Sequence, residues 1–145
     1  MPTRGRRDTG LMRVVAGTAG GRRLSAPSSG AMRPTSDLMR EAVFNALHSR
    51  SAVADAVVLD LFAGTGALGI EALSRGAAWA TFVDCSTEWA RLVEANLLAC
   101  GFTDRAEVVV ADGPNWLVAN RGPWDLVLLD PPYAFGGWPA LLGGP

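Results

Sequence analysis

Runs of consecutive apolar residues alternate with amphipathic segments from residue 57 onward. The apolar runs predict four strands, at 57–61, 80–84, 107–112 and 125–130. The amphipathic segments between them predict three helices, at 66–75, 87–100 and 114–120. We expect Ser86 to cap the second helix and Gly101 to end it. Strands that are apolar throughout, separated by helices, indicate an α/β fold with a parallel sheet covered on both faces.

The first third of the chain has a different pattern. Short apolar runs on either side of the glycine-rich turn 17–21 predict a β-hairpin. A helix is expected to begin near Thr35 or Ser36, after Pro34. Its apolar ridge is predicted to consist of Met39, Val43, Phe44 and Leu47. These patterns divide the chain into a disordered basic tail, a hairpin with its loop, a core and an irregular tail, at 1–12, 13–35, 36–135 and 136–145.

The charge is distributed unevenly along the chain. Residues 1–50 contain nine arginines and three acidic residues, a net charge of +6, whereas residues 51–145 contain four arginines and eleven acidic residues, a net charge of −7. A basic segment attached to an acidic body is typical of proteins that bind nucleic acid. For residues 1–10 alone, a solvated tail is the alternative.

Composition also excludes several kinds of protein. The 145 residues make one domain of ordinary size, and no apolar run reaches the ~18 residues of a membrane span. Cys85 and Cys100 fit no metal or redox spacing, so we expect reduced thiols in or near the core, no metal site and a cytoplasmic protein.

Gly64, Gly66 and Gly69 form a G-x-G-x-x-G pattern directly after the first strand of the core. Taken alone, this pattern is weak evidence for a dinucleotide site. However, each of the four strands is predicted to end in an aspartate, and in a parallel sheet these ends share one edge. The four are Asp60, Asp84, Asp112 and Asp130. Four carboxylates would repel a pyrophosphate, whereas they suit the positive charges, ribose hydroxyls and adenine amine of S-adenosylmethionine.

The tetrapeptide Asp130-Pro131-Pro132-Tyr133 follows the last predicted strand. Two prolines end the strand and make a rigid turn. The Asp130 carboxylate and the Pro131 carbonyl can both accept hydrogen bonds from a planar amine, while Tyr133 can stack on its ring. Two acceptors favour a pyramidal nitrogen whose lone pair faces a methyl carbon, so catalysis is mostly positioning. The alternative is a proline-rich loop with a surface tyrosine.

With these two motifs in this order, the chain resembles the class I methyltransferases. More narrowly, it resembles the RsmD family of 16S rRNA guanine-N2 methyltransferases. The resemblance lies in the segments 13–27, 33–47, 58–77 and 125–133. It implies a Rossmann-like sheet with an N-terminal hairpin extension, S-adenosyl-L-methionine as cofactor, and 16S rRNA or the small ribosomal subunit as partner. A complete member is expected to be a monomer.

The resemblance also assigns residues to the site. The cofactor is expected to contact Asp60, Phe62, Gly64, Thr65, Gly66, Asp84, Cys85, Asp112 and Gly113. The acceptor guanine is expected to contact Asp130, Pro131, Pro132 and Tyr133. RNA is expected to contact Arg13, Arg22, Arg23, Arg33 and Arg40. Thr35 and Asn45 belong to the segment that would cover the active site.

Residues 136–145 depart from the family pattern, whose sheet has seven strands. We therefore expect a C-terminally truncated member with an incomplete sheet, in which the strand 126–130 pairs with the first strand of the core. Other functions stay open at this point: a non-catalytic RNA-binding remnant, methyl transfer to DNA adenine or protein glutamine, and a nicotinamide oxidoreductase.

Overall fold

The structure, a computed structural model, describes residues 12–26 and 37–130. The described part begins with a small hairpin of two strands, β1 (Met12–Arg13) and β2 (Arg23–Leu24). The elements that follow are α1 (Asp37–Ser49), β3 (Val57–Leu61), α2 (Ala67–Ser74), β4 (Trp79–Asp84), α3 (Thr87–Cys100), β5 (Ala106–Val110), α4 (Gly113–Ala119) and β6 (Leu126–Leu129). The predictions for residues 1–11, 27–36 and 131–145 lie outside the described residues.

Four strands form one parallel sheet in the order β5-β4-β3-β6. The register places Asp60 of β3 between Phe82 of β4 and Leu128 of β6. The parallel α/β sheet is therefore confirmed, and so is the pairing of the last described strand with the first strand of the core. Because all four strands are parallel, their carboxyl ends lie along one edge, where ligands of such sheets bind.

Alternation of side chains along the strands separates two apolar clusters. The larger cluster contains Phe44 of α1, Ile70 of α2, Phe82 of β4 and Val93 of α3. The smaller cluster consists of Leu59, Leu61 and Val83, with α4 packed against it. The sheet thus has apolar cores on both faces, as the continuous apolar strands predicted.

The predicted element ends agree with the structure to within one or two residues. The Ser86 hydroxyl accepts a hydrogen bond from the Trp89 amide at 3.3 Å, and Gly101 ends α3 in the left-handed conformation at φ +77°. The prediction of a strand reaching Asp112 is wrong, because β5 ends at Val110 and Asp112 occupies the N-cap position of α4.

The predicted apolar ridge of α1 is wrong for two of its four members. Met39 and Val43 are 59% and 42% exposed, whereas Phe44 is buried and Leu47 half-buried. The other buried position of the helix is occupied by Arg40, which is completely enclosed. The helix is turned toward Arg40 because this arginine is ion-paired with Glu71 inside the protein.

The hairpin is an integral part of the core and not an appended arm. The buried carboxylate of Glu71 on α2 accepts hydrogen bonds from the amides of Val15 and Ala16, at 2.8 and 3.1 Å. The Ser74 hydroxyl accepts from the Ala19 amide at 2.9 Å. Side chains of α2 thus satisfy backbone groups of the hairpin that no strand partner satisfies, and this fixes the hairpin beside the sheet.

Candidate functional site

The glycine-rich loop connects β3 to α2 at the carboxyl edge of the sheet, and its backbone is unusual. Gly64 and Gly66 are left-handed, with φ of +58° and +84°, and so is Phe62, with φ of +63°. A left-handed phenylalanine carries backbone strain of about 1–2 kcal/mol, a feature that concentrates at binding sites. A Cβ atom at Gly66 would lie 3.2 Å from the Val93 side chain. Glycine suits this position because the left-handed backbone and the close contact with α3 both disfavour a side chain.

Asp60 lies under this loop and is 1% exposed. Its Oδ2 accepts a hydrogen bond from the Gly69 amide at 2.9 Å, whereas Oδ1 has no hydrogen-bond partner within the described parts of the chain. Burial raises the pKa of Asp60 well above its ordinary value; the Gly69 hydrogen bond opposes this shift, and the charges of Asp130 and Asp84 add to it. A buried carboxylate with an unpaired oxygen would bind a cation or a hydrogen-bond donor.

Gly69, the last glycine of the pattern, is required by packing. A Cβ atom there would lie 2.4 Å from the Phe82 ring and 3.1 Å from Asp60 Oδ2. Only a glycine allows the first turn of α2 to approach β4 this closely. The third glycine thus brings the helix amide to Asp60.

Asp84 connects the loop to the end of β4. Its Oδ2 accepts from the Gly64 amide at 2.9 Å, and its Oδ1 accepts from the Ser86 amide at 3.0 Å. These two hydrogen bonds fix both the loop and the side chain, which stays half-exposed at the edge of the sheet. Asp84 is therefore held ready to accept further hydrogen bonds from a ligand.

The structure brings three of the four predicted aspartates together. Asp84 and Asp130 both act electrostatically on Asp60, and Asp130 directly follows β6. Asp112 is exposed at the start of α4 and its side chain forms no capping hydrogen bond. The adjacent Gly113 is buried, and a Cβ atom there would lie 3.2 Å from Leu61, so glycine brings α4 close to β3.

The two other described residues of the predicted cofactor site differ in burial. Cys85 is exposed directly after Asp84, so its expected place in or near the core is wrong. Thr65 is buried, and its hydroxyl lies 3.9 Å from the Met12 sulfur, so its side chain packs against the hairpin. Pro131, Pro132 and Tyr133 lie outside the described residues.

The arginines predicted to bind RNA divide into two groups. Arg22 and Arg23 are exposed on the hairpin and Arg13 is half-exposed, while Arg33 lies outside the described residues. Arg40 corrects the prediction, because its side chain is 0% exposed, pairs with Asp37 and Glu71, and donates to the carbonyl of Arg13. A buried and paired guanidinium cannot meet a phosphate, so Arg40 has a structural role.

Sequence reasoning missed Asn96, a buried residue of α3. Its side-chain amide bonds to the backbone of Ser25 and to the carbonyl of Thr65. The only signal in the sequence was an asparagine three residues after Val93 and next to Leu97, on the apolar face of a helix.

Replacing Asp60 with asparagine should stabilise the ligand-free protein at neutral pH. The pKa of Asp60 is higher in the folded than in the unfolded protein, so the folded state binds the Asp60 proton more tightly. The stability gained from this proton is complete below the pKa that Asp60 has in the unfolded chain. It is lost as the pH rises through the pKa that Asp60 has in the folded protein. Asparagine keeps an oxygen for the Gly69 amide but carries no charge. We expect the free energy of unfolding to rise near neutral pH and the gain to shrink in acid. Urea unfolding across pH measures this; a wild type that is the more stable at neutral pH would contradict it.

Two other classes of site are not found in the described residues. No group of three or more His, Cys, Asp or Glu side chains is placed to hold a metal ion. Within 12–26 and 37–130, no helix has the length and apolar character needed to cross a membrane.

Comparison with known proteins gives consistent matches. The family model described as "Conserved hypothetical protein 95" matches residues 12–142. The chain is 38% identical over 128 residues to "Ribosomal RNA small subunit methyltransferase D" of Escherichia coli (strain K12), covering 88% of this chain and 63% of that protein. It therefore spans less than two thirds of the length of that relative.

Solved structures give the same result. "Putative methyltransferase yhhF from Escherichia coli" has a TM-score of 0.79 and 35% identity, covering 92% of this chain and 70% of that one. SMU.776, a methyltransferase by its description and complexed with SAH, has a TM-score of 0.50 and 27% identity, covering 55% of this chain and 22% of that one. The fold is thus that of the class I methyltransferases.

Proposed function

The chain belongs to the conserved hypothetical protein 95 family, and from this membership we propose that it performs S-adenosylmethionine-dependent methylation of a guanine N2 amine in 16S rRNA. The resemblance to the RsmD family, predicted from four sequence segments, is confirmed by 38% identity to the Escherichia coli protein of that name. The acceptor atom, the cofactor and the RNA are parts of the proposal.

The observation that carries the proposal is the buried Oδ1 of Asp60, which has no hydrogen-bond partner among the described residues. It lies in a site where Asp84 and Asp130 contribute further negative charge. A pyrophosphate there would be repelled, whereas a cationic ligand with hydrogen-bond donors would be attracted. The site therefore favours S-adenosylmethionine over a nicotinamide dinucleotide.

The described residues fit the methionine and ribose parts of this cofactor. Asp60 would accept a hydrogen bond beneath the left-handed backbone of Gly64 and Gly66, which lets a ligand approach the main chain. Asp84 would accept hydrogen bonds from the ribose hydroxyls. Phe62, Cys85, Asp112 and Gly113 would complete the site toward the adenine. When bound, the cofactor supplies an electrophilic methyl group.

Asp130 would hold the acceptor amine. It follows β6 directly, on the same edge as Asp60 and Asp84. Its carboxylate would accept a hydrogen bond from the guanine N2 amine, together with the Pro131 carbonyl, and Tyr133 would stack on the base with a stabilisation of ~1–3 kcal/mol. These acceptors would direct the nitrogen lone pair toward the methyl group. Arg13, Arg22, Arg23 and Arg33 would contact RNA phosphates.

Replacing Asp84 with alanine should weaken the binding of S-adenosylhomocysteine, the product that the cofactor becomes when it loses its methyl group. The change removes the ribose acceptor and also the hydrogen bond that fixes the Gly64 amide. We expect a loss of about 1.5–3 kcal/mol, a roughly 10- to 150-fold rise in Kd. Isothermal titration calorimetry measures it, with the exposed Asp104→Ala as the matched control. An unchanged Kd in Asp84→Ala would refute the assigned role.

A further inference from the structure

Asn96 is a buried polar residue that joins two distant segments of the chain. It lies on α3 and is 1% exposed. Its Nδ2 donates to the Thr65 carbonyl at 2.9 Å and to the Ser25 carbonyl at 3.1 Å. Its Oδ1 accepts from the Ser25 amide at 2.7 Å. One side chain therefore satisfies three backbone groups in two segments.

The first segment is the glycine-rich loop. Thr65 stands between Gly64 and Gly66, so its carbonyl belongs to the peptide plane that carries the Gly66 amide. A hydrogen bond to this carbonyl limits rotation of that plane. Asn96 thus helps to set the conformation of the backbone that would face the cofactor.

The second segment is the end of the hairpin. Ser25 directly follows β2, which consists of Arg23 and Leu24 and is preceded by Arg22. Paired hydrogen bonds to both backbone groups of Ser25 fix the direction in which the chain leaves the hairpin. The hairpin and the loop also meet directly, because the Thr65 hydroxyl lies 3.9 Å from the Met12 sulfur.

An asparagine is well suited to this position, because its side chain has both donor and acceptor groups. An aspartate of the same size could accept from the Ser25 amide but could donate to neither carbonyl. Of the two carbonyls, that of Thr65 is bonded in the interior, so losing its donor leaves a buried acceptor unsatisfied.

We propose that Asn96 is a positioning residue shared by the cofactor loop and the RNA-facing hairpin, so that affinity for both ligands depends on a side chain that contacts neither. This inference rests on the proposed function, which supplies the two ligands. It goes beyond that function because it assigns one side chain to position both the glycine-rich loop and the hairpin.

The test measures both affinities separately in Asn96→Asp and in the milder Asn96→Ser. S-adenosylhomocysteine is titrated without RNA, and a 16S rRNA transcript is titrated without cofactor. We expect Asn96→Asp to weaken both affinities by at least about tenfold, the effect of losing one buried hydrogen bond or more. Asn96→Ser should weaken both affinities by less. The control is Leu97→Ala, since Leu97 is the buried neighbour on the same helix and belongs to the apolar core. It should lower Tm and leave both Kd values within about twofold.

The possible results distinguish a failure of the Asn96 role from a failure of the proposed function. Loss of both affinities in folded Asn96 variants, with both retained in Leu97→Ala, supports the inference. If either affinity is unchanged in a folded Asn96 variant, or if Leu97→Ala loses both equally, the shared positioning role is overturned while the function stands. If the wild type binds neither ligand, the proposed function itself fails.

Discussion

Replacing Asp130 with alanine should reduce methyl transfer to 16S rRNA by at least about 100-fold, the scale of losing a group that acts in the transition state. The carboxylate follows β6 at the edge where Asp60 and Asp84 lie. Without it, the acceptor amine loses one of the two acceptors proposed to direct its lone pair. Affinity for S-adenosylhomocysteine should stay within about threefold, because the proposed cofactor contacts come from other residues.

Transfer of a labelled methyl group to rRNA, together with calorimetry, measures both effects. Asp125 is a matched control, since it stands at the opposite end of the same strand, where its Oδ2 accepts from the Val57 amide at 2.8 Å. Asp125→Ala should keep its transfer rate per folded molecule. Because the chain spans 63% of the length of the Escherichia coli relative, the assay includes a fusion that supplies the remaining portion of that relative. Near-normal turnover in Asp130→Ala would show that Asp130 only ends a strand.

Replacing Glu71 with alanine should lower the free energy of unfolding by about 3–5 kcal/mol, the usual cost of removing one member of a buried ion pair. Glu71 and Arg40 are both 0% exposed, and the carboxylate also accepts from Arg75 Nε at 2.8 Å. The change additionally leaves the amides of Val15 and Ala16 without their acceptor. Since whole domains are stable by about 5–15 kcal/mol, the variant should be close to unfolding and its hairpin should detach.

Urea unfolding and hydrogen exchange at Val15 and Ala16 measure this effect. Glu94→Ala, at an exposed position of α3, is the matched control and should change stability by less than about 0.5 kcal/mol. A loss below about 1 kcal/mol in Glu71→Ala would mean that the buried network does not hold the hairpin.

The sheet and its helices could be predicted from the sequence because their apolar residues recur with the period of each element. The alternation also predicted that the strands are parallel. The pairing of the last strand with the first strand of the core was implied by the family resemblance, and β6 indeed pairs with β3. The ends of elements were less exact, as at Asp112, because an aspartate is equally compatible with a strand end and with a helix N-cap.

The polar interior could not be predicted in this way. Arg40, Glu71 and Asn96 occupy positions that an apolar pattern assigns to hydrophobic residues or to solvent. Their partners lie far away in the sequence: Glu71 is 31 residues from Arg40, and Asn96 is 71 residues from Ser25. Only the folded chain brings such residues together, and for this reason the apolar pattern of α1 did not indicate that Arg40 is buried. The resemblance placed Arg40 among the RNA contacts, whereas its ion pairs hold it inside the protein.

The backbone of the candidate site could be predicted from the spacing of its glycines. The glycines mark a backbone that must be left-handed or closely packed, and the structure has both, at Gly66 and Gly69. The differences in burial and hydrogen bonding between the aspartates could not be predicted, because they depend on how the folded chain encloses each side chain. Asp60 is enclosed, and one of its oxygens has no partner in the part of the chain that the structure describes, whereas Asp84 is half-exposed and accepts hydrogen bonds from two amides.

This edge of the sheet is proposed to bind S-adenosylmethionine and not a dinucleotide. Calorimetric titration of the chain with S-adenosylmethionine, and separately with NAD, tests it most directly. We predict saturable binding of one S-adenosylmethionine per chain, weakened in Asp60→Asn and Asp84→Ala, and no measurable binding of NAD. Binding of NAD with equal or higher affinity, or no binding of S-adenosylmethionine by the folded chain, would contradict the account.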